Sequence, residues 1–326
     1  MGKKCVLAGG LVLMAAAASI CLGAAALSPK VLWQAFLSGP GDTAGFIFWY
    51  VRLPRTAACL LAGAALAVAG AVIQRVLHNH LASPSIIGVN SGAGLAVTIC
   101  CALGSVSGWA VAGSAFLGAM VTLWLIVSVA RKAGASRTTV ILSGVAVNAI
   151  ANAFSEALTT LIPEISMMTA DFRAGGFAGV SHLRLVPAAL GISAGLVLVF
   201  FLHNELDVLS LGDETAHSLG LPVARTRALL LSLAALLAGC AVSFAGLLGF
   251  VGLIVPHAVR RLAGGESRWV LPLCALGGAG FVTLCDLAAR LLFSPYELPV
   301  GILLSVLGGP FFLLLLFQRK GGMRHA

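Results

Sequence analysis

Charge is what this sequence has least of. Eleven acidic and twenty basic side chains are spread over 326 residues, 10% of the chain. Soluble domains carry about 25%. So few charges cannot cover a water-facing surface, which excludes a soluble globular fold. The phosphate-cradling pattern GxxxxGK[ST] is absent, so no nucleotide site of that kind is expected. The eight cysteines lie singly in apolar runs or as the adjacent pair Cys100–Cys101, never at C-x-x-C spacing. They read as small apolar packing residues. The seven histidines are dispersed, and no metal site is expected. No nucleophile–base set falls together, which argues against an intramembrane enzyme and leaves no catalytic residue to name. Alternating segments of about ten residues are also missing, which excludes a membrane β-barrel.

What is present is apolar sequence. The chain is 60% hydrophobic with a mean hydropathy of +1.04. At about 20 residues per span, the pattern predicts an all-α membrane protein. It forms one polytopic unit over 1–326, with about ten transmembrane helices. They fall near 6–27, 50–77, 86–104, 109–131, 139–162, 184–203, 227–245, 247–262, 269–291 and 299–317. Lys3 and Lys4 before the first apolar run fit either a signal peptide or a retained first helix. Its length favours the helix. With the N-terminus inside, fourteen of the twenty basic residues fall on the inner side and six on the outer. That is the bias expected of a membrane protein with both termini cytoplasmic. The same bias accounts for the net charge of +9 without invoking nucleic acid.

One polar interruption stands out. Residues 204–226 hold Glu205, Asp207, Asp213 and Glu214, four of the eleven acidic residues. Ser210 or Asp213 is positioned to cap a short helix, and Gly220 followed by Pro222 reads as a stop. The segment is expected to be a compact cytoplasmic knob between two spans. Gly212 and Gly220 would set its turns. Leu209, Leu211, Leu219 and Leu221 would form its apolar contact surface, with Asp213 and Glu214 capping or pairing.

Helix 139–162 carries a polar stripe of Asn148, Asn152, Ser155, Glu156 and Thr159 on one face. Polar groups avoid lipid, so the stripe either lines an aqueous pathway or bonds to neighbouring helices. Arg52 and Arg55, with Pro54 between, fall on the outer side, as does Arg290. Residues 55–72 lie over 225–242 without a gap and match at ten of eighteen positions. The two copies start on opposite sides, a weak inverted repeat of the kind transporters use.

Several stretches together resemble one family. They are VRLPRTAACLLAGAALAVAGAVIQ, LASPSIIGVNSGAG, LSLGDETAHSLGL, AGLLGFVGLIVPHAVRRL and DLAARLL followed by ELPVGILLSVLGGPFFLLLL. The family is the FecCD-type permeases of bacterial ABC importers for iron–siderophore, haem and vitamin B12. The resemblance implies the type II importer fold and a homodimer, or a pair with a close paralogue. Two cytoplasmic ATPase subunits carry ATP and Mg, and a substrate-binding protein docks outside. It assigns 209–221 to ATPase coupling and Arg52, Arg55 and Arg290 to binding-protein docking. Asn148, Asn152, Ser155 and Thr159 fall to the pathway, and Ser136, Thr138 and Thr139 to the cytoplasmic gate. Asp171, Phe172 and Arg173 depart from the family pattern before Gly175–Gly176, which leaves the substrate open. An ion-coupled secondary transporter is the competing reading. It needs buried acidic residues, for which Glu156 and Asp286 are the candidates. Topology has a direct test: a reporter fused after Arg324 should read cytoplasmic, and one in 163–182 periplasmic. The opposite result at either site removes the charge-based orientation.

Overall fold

The computed structural model describes residues 2–23, 29–132, 137–294 and 296–321, and among these every regular element is a helix. The first helix, α1 (Gly2–Cys21), is followed by the short α2 (Pro29–Ser38) and α3 (Thr43–Phe46), which leads into α4 (Leu53–Val76). Next come α5 (Val89–Ala102), α6 (Gly108–Lys132), α7 (Arg137–Leu161), α8 (Glu164–Ala174) and α9 (His182–Phe201). The polar interruption forms α10 (His203–Leu209) and α11 (Asp213–Ser218). The chain closes with α12 (Val223–Ala245), α13 (Val251–Ala263), α14 (Ser267–Leu292) and α15 (Val300–Gly321).

Each of the ten predicted spans coincides with a helix. Among the described residues seven helical runs are long and apolar enough to cross a membrane alone, while Val89–Ala102 and Val300–Leu315 are apolar but shorter. At 1.5 Å per residue, α5 and α13 reach only about 20 Å, short of an apolar layer of about 30 Å. Each starts late because its first turn is entered through a left-handed residue, Gly88 at φ 89° and Phe250 at φ 63°. For Phe250 that conformation carries a steric cost. Gly308 accommodates it: a Cβ there would lie 2.1 Å from Phe250 Cγ. The predicted span 247–262 therefore begins at 251. Residues 47–52 form a π-helical turn, where the Leu53 N–H bonds Phe48 O five residues back. Pro54 explains it, since the ring lacks an N–H and crowds the preceding turn. The short α2, α3 and α8 carry no long apolar run and were not expected.

Helix α4 is the centre of the bundle. Of the most apolar 18-residue stretch of its run from Thr43 to Val76, 83% is buried, against 11% for that of α1. Small side chains allow this, because apolar helices in lipid associate mainly through close packing. A Cβ on Gly63 would lie 2.2 Å from Gly278 O of α14, and one on Gly70 would lie 2.0 Å from Gly252 O of α13. The inverted repeat is now visible in the elements. α4 to α7 run long, short, long, long at 24, 14, 25 and 25 residues. α12 to α15 follow the same order at 23, 13, 26 and 22 residues. α4 begins at Leu53 and α12 at Val223, the same offset that aligns Arg55 with Arg225. α4 packs on α14 and α12 on α6, so long helices of the two copies pair crosswise.

Gly63→Val should push α4 off α14, because the added methyl groups meet backbone rather than a movable side chain. Overpacking costs about 1–3 kcal/mol. Thermal unfolding of the detergent-solubilised protein should show a clear loss for Gly63→Val and none beyond noise for Gly113→Val, whose Cβ position is open. Equal stability of the two variants would remove close approach as the organising contact.

Candidate functional site

The knob is built on buried leucines and exposed ones. Leu206 and Leu209 of α10 are fully buried, as is Ala216 of α11. Leu209 was expected on the contact surface; it instead anchors the knob to the core. Leu211 and Leu219 are 61% and 63% exposed, and Leu221 packs partly against the core. Gly212 sits at φ 114° and Gly220 at φ 83°, conformations that suit glycine at the two turns. No side chain caps α11; Gly212 occupies that position. Asp213 lies in its first turn, where the helix dipole favours a carboxylate. Asp213 accepts from Arg227 Nη2 of α12 at 2.7 Å through both oxygens. Glu214 is exposed.

Three spans meet the knob. Asp207 accepts from Arg75 at the end of α4 and from the Ser267 N–H at the start of α14, at 3.0 and 3.1 Å. The carboxylate thus joins two helices while satisfying an otherwise unpaired first-turn N–H. Arg75 also donates to Gly265 O, and the His78 ring is 3.1 Å from Ser210 O. Arg227 to Asp213 supplies the third tie, to α12. Sequence reasoning named Asp207 only as part of an acidic cluster. Its partners lie 132 and 60 residues away in the chain, a pairing no local pattern reveals.

The polar stripe on α7 divides. Asn148 Nδ2 donates to Ser85 O and Ile86 O at 3.2 and 3.0 Å, and its Oδ1 accepts from Ser91 Oγ. It braces the turn ahead of α5. Ser155 Oγ donates to Ala151 O at 2.9 Å, and Thr159 Oγ1 to Ser155 O at 3.1 Å, so both hydroxyls are satisfied within their own helix. Asn152 and Glu156 are exposed. Asn148, Asn152, Ser155 and Glu156 line one side of an open cavity of about 440 Å³, with Asn90, Ser91 and Arg173 among the residues facing them. Thr159 does not line it. Asn90, Ser91 and Arg173 were missed as wall residues, although Asn90 and Ser91 lie within a polar stretch, SPSIIGVNSG. Of the gate candidates, Ser136 and the side chain of Thr138 lie outside the described residues, and Thr139 is half-buried in α7.

The outer arginines differ from expectation. A docking role implies accessible side chains, but Arg52, Arg55 and Arg290 are all buried. Asp286, 1% exposed, is the reason. Arg55 Nη2 donates to Asp286 Oδ1 at 3.0 Å, its Nε to Oδ2 at 3.1 Å, and its Nη1 to Glu297 Oε2 at 2.6 Å. Arg290 Nε lies 3.0 Å from Asp286 Oδ2, and its Nη2 donates to Ser19 Oγ at 2.8 Å. Arg52 Nη1 donates to Ile20 O and Cys21 O at 2.6 and 2.9 Å. The cluster pins the ends of α1, α4 and α14. Only Glu297 keeps a partly open side chain, at 38%. Unpaired guanidiniums at this depth are costly, so the sequence keeps one carboxylate where two arginines reach it. An ion-coupled carrier needs an acidic group that exchanges its partner along the route. Asp286 is enclosed by two arginines, which leaves that role without a candidate there.

Removing one member of a buried pair costs about 3–5 kcal/mol, whereas exposed pairs contribute about 0–1 kcal/mol. Asp286→Ala should therefore lower the unfolding temperature strongly and Glu297→Gln only slightly, measured by thermal unfolding in detergent. Similar small losses would show that the cluster does not hold the three helices.

The chain was compared with known proteins. Residues 11–318 match the model of the FecCD transport family. The iron(3+)-hydroxamate import system permease protein FhuB of Bacillus subtilis is 37% identical over 99% of this chain and 85% of its own length. The hemin transport system permease protein HmuU of Yersinia pestis is 34% identical over 95% of this chain and 94% of its own. The cobalamin import system permease protein BtuC of Halobacterium salinarum is 40% identical over 86% of this chain and 76% of its own. A solved structure described as an inward-facing conformation of a metal-chelate type ABC transporter superposes with a TM-score of 0.86. It is 29% identical, covering 98% of this chain and all of that one. A match over nearly the whole length, with the helix order and the paired repeats in place, leads to one conclusion: this chain belongs to the FecCD transport family.

Proposed function

We propose that this chain is the membrane-spanning permease subunit of an ABC importer, carrying an iron chelate inward, an iron–siderophore ahead of haem or cobalamin. The observation that carries the reading is the knob. A chain without a phosphate-cradling loop uses ATP only through contact with a separate ATPase. Such contact needs a stiff projection with an apolar tip and fixed ties to several spans. α10 and α11 supply the projection, Leu211 and Leu219 the tip, and Asp207 and Asp213 the ties.

In this reading the knob end is cytoplasmic, as are both termini, and two ATPase subunits there hold ATP and Mg. The end with Arg52, Arg55 and Arg290 faces a substrate-binding protein. The open wall of Asn152 and Glu156 supports a second copy of the chain, or a close paralogue, across an aqueous pathway, because exposed polar groups facing lipid are costly. Ser136, Thr138 and Thr139 would close that pathway on the knob side. Relatives named for ferric hydroxamate, hemin and cobalamin support a large chelate as the substrate class.

The double variant Leu211→Asp/Leu219→Asp changes two exposed side chains and no buried one. The permease should still reach the membrane at normal abundance. Uptake of radio-iron chelate should drop to background, and ATP hydrolysis by the complex should no longer respond to the binding protein. Normal uptake at matched abundance would sink the coupling assignment.

A further inference from the structure

Arg173 is a cation that nothing described so far uses. It lies in the last turn of α8 and is exposed. Among the described residues its guanidinium takes part in no hydrogen bond or ion pair. The backbone beneath it is tightly held. The Leu247 N–H bonds Phe172 O at 2.9 Å, the Gly176 N–H bonds Ala245 O at 2.8 Å, and the Gly301 N–H bonds Gly175 O at 3.0 Å. Gly175 sits at φ 69°, and a Cβ on Gly301 would lie 2.2 Å from Ala174 O. The end of α8 is thus wedged between the end of α12 and the start of α15, and Arg173 projects from a fixed base.

It projects where two recesses meet. One is the cavity walled by α7, which Glu156 also lines. The other, about 420 Å³, is lined by Arg173, Leu247, Gly301 and Ser305 among others, and there Arg173 is the sole charged lining residue. Each has the volume of an ordinary small-ligand pocket, about 300–1,000 Å³. Glu156 lies five residues before the end of α7; Arg173 lines the same recess and is exposed to it. A cation so placed is costly unless it faces water or an anion. Asn90 adds a second contact. Its Nδ2 is committed to Leu248 O at 3.3 Å, while its Oδ1 is buried without a partner and is ready to accept a hydroxyl or amide N–H.

Resting on the importer reading above, we propose that Arg173 and Asn90 form a pathway site for a net-anionic, carboxylate-bearing iron chelate, with Arg173 taking a carboxylate and Asn90 a donor group. The guanidinium fork suits carboxylate oxygens. A basic residue in a last helical turn also complements the helix dipole. That effect alone would change stability and would not discriminate between chelates.

The test uses the permease with its ATPase in lipid nanodiscs, free of nucleotide and binding protein. Retention of radio-iron citrate, an anionic chelate, is compared with that of uncharged ferrichrome. The intact complex should hold citrate more tightly than ferrichrome. Arg173→Gln should weaken citrate retention by about tenfold or more, the loss of one charge-assisted contact, and leave ferrichrome unchanged. Arg173→Lys should restore most of it. Retention of neither chelate, equal weakening of both, or no change in the Gln variant overturns the site. So does displacement of citrate by phosphatidylglycerol, which would assign the recess to a lipid headgroup. Failure of the permease to hold an ATPase overturns the importer reading instead. A complex that hydrolyses ATP normally while Arg173→Gln is neutral for citrate overturns only the site.

Discussion

Backbone touching backbone at Gly63 and Gly278 is the contact on which the architecture depends. In lipid, burying a leucine against another helix gains little over burying it against acyl chains. What remains is dispersion between atoms at close range, which fades within an ångström of separation. Glycine and alanine along α4 bring its axis near enough to α14, α13 and α12 for that attraction to accumulate. α10 and α11 of the knob are placed by α4 directly or through one neighbour, and α7 and α8 through α12 and α5 in turn.

Much of this was readable because membranes simplify sequence. Apolar runs marked the ten longer helices among the described residues. The knob was readable because Gly212, Gly220 and Pro222 punctuate a polar stretch that has no business inside a bilayer. What could not be read were contacts between distant segments. Nothing near Asp207 announces that Arg75 and the Ser267 N–H will share it. Nothing near Arg55 announces Asp286, 231 residues on. The outer arginines therefore read only as docking residues, with no sign of the carboxylate that Arg55 and Arg290 share. Leu209 was misplaced for a related reason: helical phase in a seven-residue helix is too short to tell an inner leucine from an outer one. The late start of α13 turned on Phe250 adopting a glycine-like conformation, which sequence propensity argues against.

The two ends of the bundle use charge differently. At the knob, Asp207 and Asp213 are partly open to water, with side chains 35% and 44% exposed, so their ties to Arg75 and Arg227 are screened and exchangeable. At the other end, Asp286 is sealed with Arg55 and Arg290. A weak set of links suits a surface that must yield when a partner pushes. A sealed set suits a place where helices must not part.

Those two ends share members. α4 and α14 are joined through Asp207 at one end, through Asp286 at the other, and by the glycine crossing between. Two of these contacts, the sealed carboxylate and the glycine crossing, are firm, and the one at the knob is exchangeable, so the pair resists slipping most away from the knob. Under the proposed coupling, a push at the knob would be carried past the yielding tie to the glycine crossing and would emerge at the far end as tilt of both rods together, with the distance from crossing to sealed end as the lever arm.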